Sequence, residues 1–405
     1  MTIAITGLGA VCSIGGCPAT FGAGLRAGRS GVRAVSEGYA APLPDFDFEA
    51  ALAGWPVELA ESARRAGRRA PRAIQLAVIA ACQAWQDARL GGAVPPERIG
   101  VVVAGSNLTA APTEEQHSAY RRNPRFVSPR HALRMWDTDQ VAVISALLGI
   151  TGEGHTIGAA SASGTMALVA AARLIRCEAV DVCLVVGATP ELTGLERAAL
   201  LNVGALAPPA EQLPGSPFDT AHRGFVPGEA AGCLVLERAE SAERRDAPVA
   251  AWLAGWGVAL DGNSLADPTA EGEARAIGNA LSTAGIEPGD VDYVNTHGTG
   301  SVLGDRTELA ALRLVLSEAG GRPWLNATKA LTGHCLNAAG VIEAVATVLQ
   351  LRDGFVHPNP GLRDPVEPGW RFAGPVAEAT RVRTALSCSF GFGGFNAAVV
   401  LRAAA

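Results

Sequence analysis

HTIGAASASGTMALVAAARLI, residues 155–175, joins a short β-branched start to a run of small residues and then to a long Ala/Leu-rich segment. This order predicts a strand, a sharp turn and a buried helix. The start of a helix stabilises negative charge, so a turn of this kind is a common position for a nucleophile. The side chain at that position is Ser161. The serine-hydrolase elbow G-x-S-x-G is absent around it.

The composition is that of a globular enzyme. Of the 405 residues, 48% are apolar and 18% are charged, which predicts two closely packed halves rather than one small core. The net charge of -6 gives no overall positive field, so we expect neither nucleic acid nor a membrane as partner. The N-terminal segment lacks the features of a secretory signal, and no apolar run approaches the ~20 residues of a membrane-spanning helix. We therefore expect a cytoplasmic protein.

The cysteines do not indicate a metal or redox site. They lack C-x-x-C pairs and histidine clusters, so we expect no metal and predict reduced, buried thiols. The eight positions are Cys12, Cys17, Cys82, Cys177, Cys183, Cys233, Cys335 and Cys388. A dinucleotide fingerprint beginning at Gly7 and Gly9 would need a third glycine where Cys12 stands. No cofactor is expected.

Strand-like and helix-like segments alternate along the chain. β-branched runs such as RIGVVVAG (98–105) and VDVCLVVGA (180–188) are separated by Ala/Leu-rich stretches, a pattern typical of covered α/β sheets. A charged segment, ERAESAERRDAPVA (237–250), separates two such series. We predict two halves, 1–240 with Ser161 and 241–405 with the histidines described below.

Five blocks of sequence carry a resemblance to a known family. They are IAITGLGAV (3–11), PFDTAHRGFVPGEAAGCLVLE (217–237), NTHGTGSVLGDRTE (295–308), KALTGHCLNAAGVIEA (329–344) and SFGFGGFNAAVVL (389–401). In this order they resemble the β-ketoacyl synthases of fatty acid and polyketide assembly. The resemblance covers nearly the whole chain. It implies an α/β protein of the thiolase-type fold, with two similar halves whose mixed five-stranded sheets lie in α-β-α-β-α layers.

Two histidines stand out on their own chemistry. His297 follows a predicted strand and enters the glycine loop GTG, where backbone and imidazole can approach a substrate closely. His334 precedes an apolar segment of helical spacing, and a helix N-terminus would keep its ring neutral. A neutral imidazole can donate one N–H to an oxyanion. Taken alone, His297 would more simply be a structural histidine with its hydrogen bonds satisfied at a strand end.

The resemblance assigns further roles. It places Ser161 where condensing members have a nucleophilic cysteine, and it makes His297 and His334 the donors to the thioester oxygen. It also implies supporting residues: Lys329, Glu343, Phe392 as a gate, Thr299 and Asp305. A Lys–Glu pair beside two histidines can fix their orientation and charge, although a surface pair of little weight is the alternative.

Serine in place of cysteine changes the expected reaction. A hydroxyl is far less acidic than a thiol, and an oxoester is a poorer acyl donor than a thioester. The histidines would still stabilise the enolate left when a malonyl thioester loses CO2. This pattern resembles the decarboxylating ketosynthase-like enzymes of polyketide β-branching cassettes. We expect malonyl-acyl carrier protein to become acetyl-acyl carrier protein without formation of a carbon–carbon bond.

Two other functions stay open. A non-catalytic partner subunit, similar to the chain length factors, would usually lack the histidines that are present here. An acyltransferase or condensing enzyme would use Ser161 as its nucleophile, activated by a histidine. Trapping an acyl group on Ser161 would support that second alternative.

The expected partner is an acyl carrier protein that presents malonyl on phosphopantetheine, and similar proteins are homodimers. Because carrier proteins are acidic, we expect them to dock on local basic surface. The candidate docking residues are Arg64, Arg65, Arg68, Arg69, Arg72, Arg125 and Arg130. A solvated arginine face is the alternative interpretation.

The chain departs from the family pattern at several positions. Phe395 stands where the family has threonine, Asn337 and Ala230 replace glycines, and His222-Arg223 stands where Arg-Asp is usual. A bulky Phe395 could shorten the acyl cavity, or it could be a substitution in the core.

Overall fold

The computed structural model describes residues 2–105, 107–209, 216–263, 267–316 and 323–404. Its strands are β1 (Ile3–Cys12), β2 (Arg33–Val35), β3 (Gly38–Ala40), β4 (Ile99–Ala104), β5 (Gly154–Ile157), β6 (Val182–Ala188), β7 (Ala230–Arg238), β8 (Ala251–Leu260), β9 (Tyr293–Asn295), β10 (Trp324–Asn326), β11 (Phe355–Val356), β12 (Arg371–Phe372), β13 (Glu378–Ala379), β14 (Thr384–Gly391) and β15 (Phe395–Ala403). Its helices are α1 (Pro18–Arg26), α2 (Phe48–Ala51), α3 (Val57–Gly67), α4 (Arg72–Asp87), α5 (Ala110–Arg122), α6 (His131–Arg134), α7 (Asp139–Leu148), α8 (Ser163–Arg176), α9 (Gly194–Asn202), α10 (Ala239–Arg244), α11 (Ala270–Ala284), α12 (Val302–Leu316), α13 (Lys329–Thr332) and α14 (Ala339–Asp353).

The strands repeat one pattern twice. β4 is parallel to β5 and β6, and β7 and β1 follow as antiparallel strands. Likewise β9 is parallel to β10 and β14, and β15 and β8 follow as antiparallel strands. The predicted α/β fold with mixed five-stranded sheets is therefore confirmed. The second set carries β12 as an additional short strand, and three residue pairs between β1 and β8 join the two sets edge to edge.

The helices form three layers around these strands. α4 packs against β1 and β7 on one outer face, and α11 packs against β8 and β15 on the other. α8 and α14 contact each other and strands of both sets, so they form the middle layer. α14 is apolar on almost every side, as a helix enclosed by sheets must be.

Two glycines bring the middle helices together at their N-termini. A Cβ at Gly164 would lie 2.6 Å from the backbone nitrogen of Val341, and one at Gly340 would lie 2.4 Å from Thr165 Oγ1. Only glycine permits this approach. The turns that precede α8 and α14 are thereby placed next to each other, and these turns carry Ser161 and the segment after His334.

The prediction for the cysteines was wrong at two positions. Cys177 is exposed because it is the C-terminal cap of α8, and Cys17 is half-buried because it is the N-terminal cap of α1. The other six are buried, as predicted. Along the described segments, no helix is both long and apolar enough to cross a bilayer.

Candidate active site

Ser161, His297 and His334 meet in one cavity. Ser161 Oγ lies 2.9 Å from His334 Nε2, and the rings of His297 and His334 lie 5.6 Å apart, centroid to centroid, at 87°. All three line a cavity of about 350 Å³. Residues from both halves of the sequence thus form a single site.

A strained turn presents Ser161. The 3₁₀ turn Ala160–Ala162 precedes α8, and Ala160 has the left-handed φ of 47°. Such a backbone is costly for alanine and persists only where its surroundings fix it. Ser163 provides this fixation, since its hydroxyl accepts from Ala159 N at 2.8 Å and donates to Ala160 O at 2.6 Å. The hydroxyl of Ser161 is therefore held facing His334.

Lys329 fixes the orientation of His297. Its ammonium group donates to His297 O at 2.5 Å, contacts His297 Nδ1 at 3.3 Å and donates to Glu343 Oε1. An ammonium has three donors and no acceptor, so His297 Nδ1 must be the acceptor in this contact. The proton of a neutral His297 then resides on Nε2, where it is available to a ligand. The surface alternative for Lys329 and Glu343 is excluded, because both side chains are buried.

Burial and Lys329 keep both histidines neutral. Desolvation lowers the pKa of His297 well below its usual value, and the charges of Lys329 and His334 lower it further. Desolvation and the charge of Lys329 do the same to the pKa of His334. Burial also raises the pKa of Glu343 to about 7, while its contact with Lys329 acts in the opposite direction. The site therefore presents uncharged imidazoles at neutral pH.

The expected cause of this neutrality at His334 was wrong. α14 begins at Ala339, five residues after His334, and a 3₁₀ turn lies between them. His334 is instead held by its backbone, whose N–H donates to Val226 O at 2.7 Å and whose carbonyl accepts from Gly228 N at 3.0 Å. Within the described residues, His334 Nδ1 has no hydrogen-bond partner. Among the residues that the structure describes, no carboxylate orients this ring as one would in a serine-hydrolase triad.

Asp305 and Glu308 shape the loop that carries His297. Asp305 accepts from the backbone N–H groups of Thr299 and Gly300 at 3.1 and 3.0 Å. Glu308 accepts from the backbone N–H groups of His297 and Gly298 at 2.7 and 2.8 Å. The sequence had indicated Thr299 and Asp305 but not Glu308, although Glu308 ends the block that contains His297. Two buried carboxyl groups thus define the glycine loop.

The glycine loop between β14 and β15 forms another wall. Phe392 is 48% exposed and lines the cavity, consistent with a place at its entrance. Phe390, which the sequence analysis missed, packs its ring edge-on against His297 with a centroid distance of 5.8 Å. Phe395 is not among the lining residues, so it gives no support to the expected shortening of the cavity.

The other departures from the family pattern have structural partners. His222 Nδ1 lies 2.8 Å from Asp305 Oδ2, which ties the 217–237 block to the His297 loop. Asn337 Nδ2 donates to Ala104 O at 3.0 Å, and Ala230 is buried in β7. Arg223 is exposed and lines the cavity.

The candidate docking arginines differ in their availability. Arg68, Arg69, Arg125 and Arg130 are exposed. Arg64 and Arg65 pair with Glu49 and Glu61. Arg72 binds Glu229 and the carbonyl of Leu43, so its guanidinium is committed within the chain. Arg69, Arg72 and Arg130 line one hollow of about 400 Å³, which brings the two arginine-rich regions together.

In the described part of the chain, no cluster of three or more His, Cys, Asp or Glu side chains could hold a metal ion.

Comparison with known proteins gives a consistent result. Residues 1–242 match the family model for the N-terminal domain of beta-ketoacyl synthases, and residues 250–363 match the model for their C-terminal domain. The polyketide biosynthesis malonyl-ACP decarboxylase PksF of Bacillus subtilis is 36% identical, over 99% of this chain and 96% of that protein. The 3-oxoacyl-[acyl-carrier-protein] synthase 2 of Coxiella burnetii is 31% identical, over 98% of both.

Solved structures agree. The ishigamide ketosynthase/chain length factor is 31% identical with a TM-score of 0.87, covering 100% of this chain and 99% of that one. A type II polyketide synthase acyl-carrier protein in complex with its ketosynthase gives 26% identity and a TM-score of 0.87, with the same coverage.

Proposed function

Because the chain belongs to the β-ketoacyl synthase family, we propose that it decarboxylates malonyl-acyl carrier protein to acetyl-acyl carrier protein without forming a carbon–carbon bond. One observation carries the proposal. Both neutral histidines and the contact of Lys329 with His297 are in place, whereas Ser161 beside them carries a hydroxyl and not a thiol. The similarity to a protein named as a malonyl-ACP decarboxylase supports the same reaction.

The proposed chemistry uses the two imidazoles as hydrogen-bond donors. The thioester oxygen would accept from the Nε2–H groups of His297 and His334 while the bond between the α-carbon and the carboxylate breaks. The electron pair moves into the enolate, whose oxyanion these donors stabilise. CO2 leaves, and a proton from water that enters the cavity then adds to the α-carbon and gives the acetyl thioester. Each neutral imidazole has one N–H, and this N–H must be on Nε2 for the ring to donate to the thioester oxygen.

An acyltransferase or condensing enzyme is the second candidate. The 2.9 Å contact between Ser161 Oγ and His334 Nε2 favours it, because a neutral imidazole at that distance could act as a base. His334 Nδ1 argues against strong base action, since in the described ranges it has no acceptor that would stabilise the imidazolium that forms. A non-catalytic partner subunit would have no need of the buried Lys329–His297 contact.

We also propose that the product enters β-branching of a polyketide and that the carrier protein docks on the exposed arginines.

We further propose that the protein is a homodimer. β5 is the terminal strand of its sheet and pairs only with β4 in the described structure. It precedes the Ser161 turn, so a second copy paired at this edge would cover the region behind the nucleophile position. Light scattering would distinguish a dimer from a monomer.

The decisive experiment follows the mass of intact malonyl-carrier protein during incubation with the enzyme. We expect loss of CO2 from the carrier and no acyl group on the enzyme. A stable acyl-enzyme at Ser161 would favour the acyltransferase. A carrier that stays malonylated with every cognate candidate would contradict an independent enzyme.

A further inference from the structure

One charged side chain of the cavity has no part in the proposed chemistry. Arg223 is exposed and lines the cavity that contains His297 and His334. The family resemblance implies aspartate at this position, and here the wall carries a guanidinium instead. A cationic side chain at this point of the wall can attract an anionic group that enters the cavity.

The rest of the wall makes this charge significant. Asp261, Asp267 and Glu273 also line the cavity, and all three carry carboxyl groups. Of the lining residues within the described ranges, Arg223 is the one with a permanent positive charge, since the histidines are neutral. An anion that enters would be repelled by those carboxyl groups that are ionised; burial raises the pKa of Glu273 well above its usual value, so Glu273 adds least to this repulsion. A guanidinium at the wall offsets that repulsion and offers paired donors.

The backbone on both sides of Arg223 is fixed. His222 Nδ1 contacts Asp305 Oδ2 at 2.8 Å, and Gly224 N donates to Gly300 O at 2.8 Å. Gly224 has a φ of 121°, and a Cβ there would lie 2.7 Å from the backbone nitrogen of Ala207. The side chain of Arg223 itself makes no ion pair or hydrogen bond with another described residue. A rigid base therefore presents a guanidinium whose donors are available.

We propose that Arg223 binds an anionic group of the acyl-carrier substrate, either the malonyl carboxylate or the phosphate of the phosphopantetheine arm. This inference rests on the proposed function, because that function supplies a substrate with both anions. Arg223 would then set specificity by recognising charge and would not touch the reacting bond. Its contribution would appear in substrate affinity more than in the rate of the bound complex.

Four small ligands separate the two anions. They are malonyl-phosphopantetheine, malonyl-pantetheine, acetyl-phosphopantetheine and acetyl-pantetheine, with an amide in place of each thioester to slow decarboxylation. Affinities are measured by calorimetry for the parent and for Arg223→Gln, Arg223→Lys and Arg223→Asp. Arg381→Gln, which removes an exposed arginine outside the cavity lining, is the matched control. Thermal melting of each variant checks that the fold is retained.

We expect Arg223→Gln to weaken binding of the doubly anionic ligand about tenfold, as for loss of a charge-assisted bidentate contact, and Arg223→Asp to weaken it further. Arg223→Lys should lie in between. A loss on malonyl-pantetheine identifies the carboxylate as the bound anion, and a loss on acetyl-phosphopantetheine identifies the phosphate. Unchanged affinities would overturn the inference, as would an equal loss on neutral acetyl-pantetheine. Because these are binding measurements, they stay informative if the parent enzyme does not decarboxylate malonyl-carrier protein.

Discussion

Replacement of His334 by alanine tests the proposed division of labour in the site. His334 is 2% exposed, and its Nε2 is the ring nitrogen that faces Ser161. As one of two oxyanion donors, its loss should cost about 2.7–4 kcal/mol in the transition state, which corresponds to roughly a 10²–10³-fold fall in decarboxylation. The edge contact of the ring with Phe225, at 5.0 Å between centroids, is lost as well, so the thermal stability of the variant must be measured.

Ser161→Ala gives the matched comparison, because it removes the other end of the same 2.9 Å contact. A single hydrogen bond contributes about 0.5–1.5 kcal/mol, so the decarboxylation rate of this variant should be lower than that of the parent by only about 2–13-fold. A nucleophile and its base would behave differently. Their single losses would be equally large, and the double variant would be no worse than either.

The assay is the rate of conversion of malonyl- to acetyl-carrier protein, followed by intact mass at saturating substrate. The reasoning requires that His334→Ala be at least about tenfold slower than Ser161→Ala. A folded Ser161→Ala variant that loses several orders of magnitude would refute the view of Ser161 as a disabled nucleophile. A folded His334→Ala variant with parental activity would refute the oxyanion assignment.

The remaining predictions concern a thiol placed at position 161, the docking surface and the buried His357. Ser161→Cys should react with iodoacetamide faster than the buried cysteines, because the start of α8 stabilises a thiolate; Cys17 and Cys177 should first be replaced by serine, since they are not buried. Arg68→Glu with Arg69→Glu should raise the KM for malonyl-carrier protein and weaken its salt dependence, but leave activity on a small malonyl thioester unchanged, as enzyme kinetics would show. Burial lowers the pKa of His357 to about 4. Below pH 6.5 the unfolded chain therefore binds a proton at His357 that the folded chain does not, and the free energy of unfolding decreases as the pH is lowered. Between pH 6.5 and about 4, urea unfolding of the parent should lose up to about 1.4 kcal/mol per pH unit more than His357→Gln does; equal slopes would contradict this.

The sequence was sufficient to indicate which side chains meet. Each block is short, and its glycines and histidines have local reasons for their positions, such as the GTG loop after the strand that ends at Asn295. The family resemblance that these blocks carry then implies the fold, and the fold brings Ser161, His297 and His334 to one cavity, with Lys329 against His297. The local sequence pattern and the overall topology thus indicate the same site residues, and such agreement between levels is typical of a well-specified fold.

Contacts across long sequence separations were not predictable in the same way. Arg72 belongs to an arginine-rich run that suggests a docking surface, but its partner Glu229 lies 157 residues away. The sequence analysis did not single out Glu308, whose carboxyl accepts from the backbone N–H groups of His297 and Gly298. The start of α14 was misplaced because the residues from His334 to Ala338 have helical apolar spacing, although their backbone does not join that helix. Spacing indicates which face is buried, but it does not fix where the helix begins.

Serine, rather than alanine, at position 161 also has a physical reason. The ring of His334 is buried, and in the substrate-free site its Nε2 needs a polar partner, because an unpaired buried donor costs about 1–3 kcal/mol. The hydroxyl of Ser161 supplies that partner at 2.9 Å. It does so without the acidity that would let an incoming thioester acylate the enzyme and compete with malonyl for the site. If the proposed function holds, serine at this position would therefore remove the first step of condensation and preserve the hydrogen-bonded arrangement on which decarboxylation would depend.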